Sequence, residues 1–136
     1  MCRIFVVRLA IGVCLALPGL AQATPALRCL LEHGGETRSL SFAPTTDPYR
    51  VESVDVGGAF RFKAVVYEEQ ARIAYVKLYT YYQSPRQAVL LHQASYRSPQ
   101  AEPAASARSL TGDQRLFSAR LGMELLYNCT LLEEQP

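Results

Sequence analysis

The chain has 136 residues, 49% hydrophobic and 10% aromatic, with 14 Lys or Arg against 12 Asp or Glu and a net charge of +2. That length suits one domain with a modest core, and a charge so near neutral, without a dense basic run, excludes nucleic acid as the expected partner. Apolar residues seldom recur at helical spacing, whereas Val, Tyr, Phe and Thr alternate with polar residues, which excludes a helical bundle.

Met1–Ala23 reads as a secretory signal: Arg3 and Arg8 form a basic start, Leu9–Leu17 an apolar stretch, and Ala21-Gln22-Ala23 a small-residue cleavage site. The apolar stretch falls well short of the about 20 residues a bilayer span needs. No membrane span is expected once the signal is removed. Cys14 is a poor acylation site, because branched Val13 precedes it and it lies inside the apolar stretch. Cleavage would remove Arg3 and Arg8, which account for the whole net charge, together with Cys2 and Cys14. Cys29 and Cys129 remain, and in an oxidising compartment such a pair favours a structural disulfide. Two free thiols in a redox or metal role would call for a C-x-x-C or a Cys/His cluster, and neither is present. The expected location is the periplasm, with secretion as the alternative.

Residues 24–136 then form a single exported β-domain. Ala26–Glu32 places Leu27, Cys29 and Leu31 on one face. His33-Gly34-Gly35 supplies a hairpin turn, since paired glycines adopt the positive φ that tight turns need, and leads into Glu36–Phe42 with Leu40 and Phe42 inward. Ala43–Pro48 is a proline-marked loop, and Tyr49–Val56 reads as a third strand ending at Gly57-Gly58. Ala59–Tyr67 and Ile73–Tyr82 are the clearest pair, joined through Glu68-Glu69-Gln70-Ala71-Arg72. A turn at Gln83-Ser84-Pro85-Arg86 leads into Gln87–Arg97. Ser98–Gln114, rich in Pro, Ala and Ser, reads as a flexible loop without strand character. Within Arg115–Leu132, Gly122 marks a turn before Met123–Leu131, where Met123, Leu125, Tyr127, Cys129 and Leu131 share a face. The pattern predicts an all-β fold, an antiparallel meander of about seven or eight strands forming a small barrel or sandwich. A Cys29–Cys129 disulfide would close it by joining the first and last strands.

The face opposite the core residues of the central pair carries the candidate site. Centring the connection near Gln70 sets Val65 opposite Tyr75, Lys63 opposite Lys77, Arg61 opposite Tyr79 and Ala59 opposite Tyr81. The following turn brings His92 beside Lys77 and Leu90 beside Tyr79. The candidate binding residues are Arg61, Lys63, Tyr75, Lys77, Tyr79, Tyr81 and His92. Like charges set opposite one another cost stability, so a Lys63/Lys77 pair is either relieved by solvent or retained for a ligand. Tyrosine offers rigid contact area and a phenol, which suits a partner protein or a small anionic or aromatic ligand. The same residues also suit a solvated sheet face, since antiparallel sheets often leave one side wet, and a register slip of one residue would disperse the cluster.

Other chemistry is weakly indicated. His33 in Glu32-His33-Gly34-Gly35-Glu36 matches no metal-ligand spacing and reads as an exposed turn histidine. His92 lacks an orienting carboxylate, and no serine lies in G-x-S-x-G, so neither a catalytic residue nor a cofactor is expected. Asn128-Cys129-Thr130 fits the glycosylation triplet but overlaps the disulfide strand.

An exported small β-domain whose first and last strands carry its two cysteines, ending in Tyr127-Asn128-Cys129-Thr130-Leu131, resembles the bacterial periplasmic inhibitors of C-type lysozyme. That resemblance implies inhibition of lysozyme or another hydrolase as an alternative function. It covers the two ends of the domain, and no Ser-Gly inhibitory loop of that family is present, so it implies no site residues. The leading expectation is a non-enzymatic binding or accessory module acting through the Arg/Lys/Tyr face. A small-molecule carrier or an enzyme with a site in the barrel mouth is the third.

Overall fold

A computed structural model describes residue 19 and residues 22–135. The signal assigned to Met1–Ala23 lies almost wholly outside the described residues. The described residues form nine strands: β1 (Thr24–His33), β2 (Glu36–Phe42), β3 (Val54–Val56), β4 (Phe60–Glu69), β5 (Arg72–Gln83), β6 (Ala88–Arg97), β7 (Glu102–Pro103), β8 (Gln114–Ser118) and β9 (Met123–Glu134). Among them no helix is long and apolar enough to cross a membrane.

The alternating pattern of each long strand decides which side it buries. Leu27, Cys29 and Leu31 of β1 and Leu125, Tyr127, Cys129 and Leu131 of β9 face Phe60, Phe62, Ala64 and Val66 of β4 and Val76 and Leu78 of β5. Each buried Leu, Val or Phe side chain contributes about 1.5–3 kcal/mol by leaving water. Two sheets enclose this core as a sandwich rather than a closed barrel. One runs β2-β1-β9-β7 with β8 also paired to β9, and the other is the meander β3-β4-β5-β6. Phe62 bridges the layers, with its ring centroid 6.0 Å from that of Phe42 and 5.2 Å from that of Tyr127.

The first and last strands meet as expected. Cys29 and Cys129 are direct cross-strand partners in the β1–β9 ladder and form a disulfide with a Cα–Cα distance of 4.1 Å. The Cys129 carbonyl turns away from β1 and accepts from the Leu110 and Thr111 amides, while the Cys129 amide donates to the Thr111 hydroxyl.

Three local expectations are corrected. Tyr49–Val56 is not one strand: Pro48–Arg50 is a 3-10 turn, and only Val54–Val56 pairs with β4. Pro48 presets the turning φ, and the Asp47 carboxylate accepts from the Tyr49 amide at 3.1 Å. Ser98–Gln114 does contain a strand, because Glu102–Pro103 pairs in parallel with Leu132–Glu133. His33 is not a free turn residue. Its Nδ1 lies 2.9 Å from the Glu124 carbonyl and its ring meets Phe60 edge-on at 5.0 Å. Gly57 makes that seat: a Cβ there would come within 2.6 Å of the His33 ring, and its φ of +63° lies in the left-handed region.

Candidate functional site

The outer face of the four-stranded sheet is set by the register of β4, β5 and β6. Four rows cross it: Arg61–Tyr81–Leu90, Lys63–Tyr79–Gln93, Val65–Lys77–Ser95 and Tyr67–Tyr75–Arg97. Arg61, Lys63, Tyr75, Lys77, Tyr79 and Tyr81 therefore do share one face, but not in the expected pairs. Lys63 opposes Tyr79 and Lys77 opposes Val65, so the two lysines are diagonal neighbours and the like-charge apposition is absent.

Two irregularities explain the difference. The β4–β5 connection is a two-residue turn at Gln70–Ala71, which alone would pair inward residues of one strand with outward residues of the other. A bulge that leaves Ala74 unmatched restores the alternation, at a register two residues from the expected one. The next connection spans Ser84–Gln87, and a second bulge leaves Leu91 unmatched. This bulge shifts β6 by an odd number of residues and turns His92 to the core side. His92 faces Thr80, whose buried hydroxyl has no hydrogen-bond partner, and its Nδ1 lies 3.4 Å from the Tyr127 hydroxyl. It is not part of the outer face.

Other residues join the face instead. Tyr67 stacks on Tyr75 with ring centroids 4.9 Å apart, and Arg97 occupies the end of the same row. Tyr49 is brought alongside by a strap in which Thr45 bridges β4, its amide donating to the Val66 carbonyl and its carbonyl accepting from the Glu68 amide. Its side chain is 93% exposed. Strand parity alone could have identified Tyr67, whereas Arg97 depended on the second bulge and Tyr49 on the strap.

The face carries a layered set of contacts. Tyr79 and Tyr81 lie nearly parallel with centroids 6.5 Å apart. The Lys77 ammonium sits 4.7 Å above the Tyr75 ring and the Lys63 ammonium 5.8 Å above the Tyr79 ring, within cation–π range. Val65, although it points outward, is only 3% exposed, so the long side chains lie down over it rather than extending into water. Burial pushes the Tyr75 phenol above its ordinary value, and the phenols of Tyr67, Tyr79 and Tyr49 add to the shift. Burial, then Tyr79, does the same to Tyr81. Both shifts favour the neutral phenol, which can donate as well as accept a hydrogen bond.

The charges on this face differ from those on the opposite sheet. Arg28, Arg108 and Arg115 each make an ion pair there, with Glu134, Glu102 and Glu124, and on the strap beside the tyrosine face Arg50 pairs with Asp47. Arg61 is held by Ser53, through the hydroxyl at 2.7 Å and the carbonyl at 2.8 Å, and Arg38 donates to the Asp55 carbonyl. Among the described residues, Lys63, Lys77 and Arg97 make no ion pair and no side-chain hydrogen bond. Arg72, Arg86 and Arg120 also lack an ion pair, but they sit at turns and a strand end rather than within the rows of a sheet face. Two surface clefts, of about 630 Å³ and about 620 Å³, lie on the opposite sheet, near Arg28 and Glu134 and near Leu30 and Leu126. Neither cleft is lined by a residue of the tyrosine face. Among the described residues no group of three His, Cys, Asp or Glu could hold a metal ion. Comparison with protein-family models, with curated proteins and with solved structures finds no match, so the likeness to lysozyme inhibitors rests on the plan of the first and last strands alone.

Proposed function

We propose that the chain is a non-enzymatic exported binding module, periplasmic or secreted, that presents the outer face of its four-stranded sheet to an acidic protein partner. The observation that carries this reading is the contrast in charge pairing. Three arginines of the opposite sheet and its loops have carboxylate partners, as does Arg50 on the strap beside Tyr49, while Lys63, Lys77 and Arg97 stand among tyrosines without one among the described residues. Unpaired bases beside rigid aromatic rings suit a complementary acidic surface, with tyrosine area supplying contact and charge supplying orientation. The disulfide supports the compartment, since such bonds persist where conditions are oxidising.

The test is affinity capture by the immobilised disulfide-bonded protein at low and high salt. Acidic proteins retained at low salt should be released by salt and should be lost from the Lys63→Glu/Lys77→Glu variant, with binding weakened about tenfold or more. Capture that ignores both salt and the double variant would sink the reading.

A further inference from the structure

The cations of this face are not scattered. Lys63 lies on β4, Lys77 on β5 and Arg97 on β6, and each stands one strand over and one row along from the last. They form a straight diagonal across the sheet, with steps of about 7–8 Å between diagonal neighbours. Tyr79 and Ser95 border the line on one side, with Tyr81 one row farther out, and Val65 and Tyr75 border it on the other, with Tyr67 one row farther out. Among the described residues one carboxylate shares these rows: Asp55, on β3 beside Arg61, stands one strand over and one row back from Lys63 and accepts from the Gly58 amide, while Glu68 and Glu69 lie past the bulge toward the turn.

We infer that the occupant of this line is an extended acidic polypeptide segment with carboxylates at alternate residues, an inference that rests on the binding role proposed above. On an extended chain, side chains of one side recur every two residues, about 6.6–6.8 Å. That repeat falls within about 1 Å of the diagonal step, and the flexible stems of Lys and Arg take up the remainder. A globular acidic patch has no reason to match a line, and a small anion is held best in a cleft, neither of the two above including these residues. The residues between the carboxylates point away from the sheet, so the pattern needed is an acidic residue at every second position with uncharged residues between.

Short synthetic peptides alternating Glu with Thr, peptides of the same composition with the Glu in one block, and a uronic-acid oligosaccharide of equal charge are the probes. Binding to the disulfide-bonded protein is read by fluorescence anisotropy at low salt. The alternating peptide should bind about tenfold more tightly than the block peptide, and Lys77→Glu should erase that preference. Arg97→Glu, at the exposed end of its strand, should do likewise and guards against a misfolded first variant. Equal affinity for the two peptides overturns the inferred alternation. Preference for the oligosaccharide, lost in the same variants, overturns the polypeptide occupant while leaving the face as the binding surface. Binding of every probe unaffected by Lys63→Glu, Lys77→Glu or Arg97→Glu removes the face reading itself.

Discussion

Tyr127 shows how one side chain links the layers. Its ring packs against Phe62 and approaches His92, and burial, with help from Tyr96, pushes its phenol up to about 12 from 10.0. The native state thus holds that proton more tightly than the unfolded chain does. Between pH of about 10 and about 12 unfolding releases a proton, and the phenol's contribution to stability falls as pH rises through this window. Urea unfolding midpoints of the wild type should therefore drop more steeply across the window than those of Tyr127→Phe. Parallel pH profiles would show that the buried phenol is not the titrating group.

Among the elements, the β4–β5 hairpin holds the most local strain. Gln70 and Ala71 have φ of 51° and 59°, left-handed values that a tight hairpin turn requires and that side chains other than Gly and Asn resist. Replacing the pair by Asn-Gly should raise stability by about 1 kcal/mol, the strain relieved exceeding the extra freedom that glycine gives the unfolded chain. Denaturant titration checks this, and an unchanged or lower midpoint would mean that the Gln70 and Ala71 side chains themselves hold the turn in place. The same hairpin shows what is legible in the sequence. Phe60, Phe62, Ala64, Val76 and Leu78 announce their face because alternation survives any even shift of register, so the core is readable without knowing a single partner. Partners depend on where a spare residue is accommodated, and nothing in the sequence marks Ala74 or Leu91 as the site of a bulge. Hence alternation alone sets the two lysines opposite each other when they are diagonal, and sets His92 outside when it faces inward. Pro48 does carry a usable signal, since a proline just after an aspartate favours a capped turn over the strand expected from Tyr49.

Over the whole molecule the charges nearly balance, yet they are segregated: ion pairs occupy the five-stranded sheet and the loops, and the diagonal of unpaired bases occupies the opposite face. The core between the sheets, with Phe62 against Phe42 and Tyr127, joins those two faces, and the disulfide staples the β1–β9 ladder within the five-stranded sheet. Closing a loop with a sequence separation of 100 contributes about 4.7 kcal/mol in the chain-entropy model. Cys29→Ala/Cys129→Ala should lose a few kcal/mol in denaturant unfolding, and wild type under reducing conditions should approach the double variant. A reduced wild type as stable as the oxidised form would show that the bridge adds nothing to the packed ladder.

The same bond makes most of the described chain a covalent ring, from Cys29 around to Cys129, with short tails whose residues Thr24 and Glu134 are paired with each other. A single protease cut anywhere along that ring opens it without releasing a fragment, so a nicked molecule keeps both sheets until a reductant separates the pieces. Both tails leave from one end of the five-stranded sheet. Pro25 and Glu133 line one cleft with Gln70, Ala71 and Ser98, so a tether attached to either tail would hold the molecule at the end that carries the β4–β5 turn.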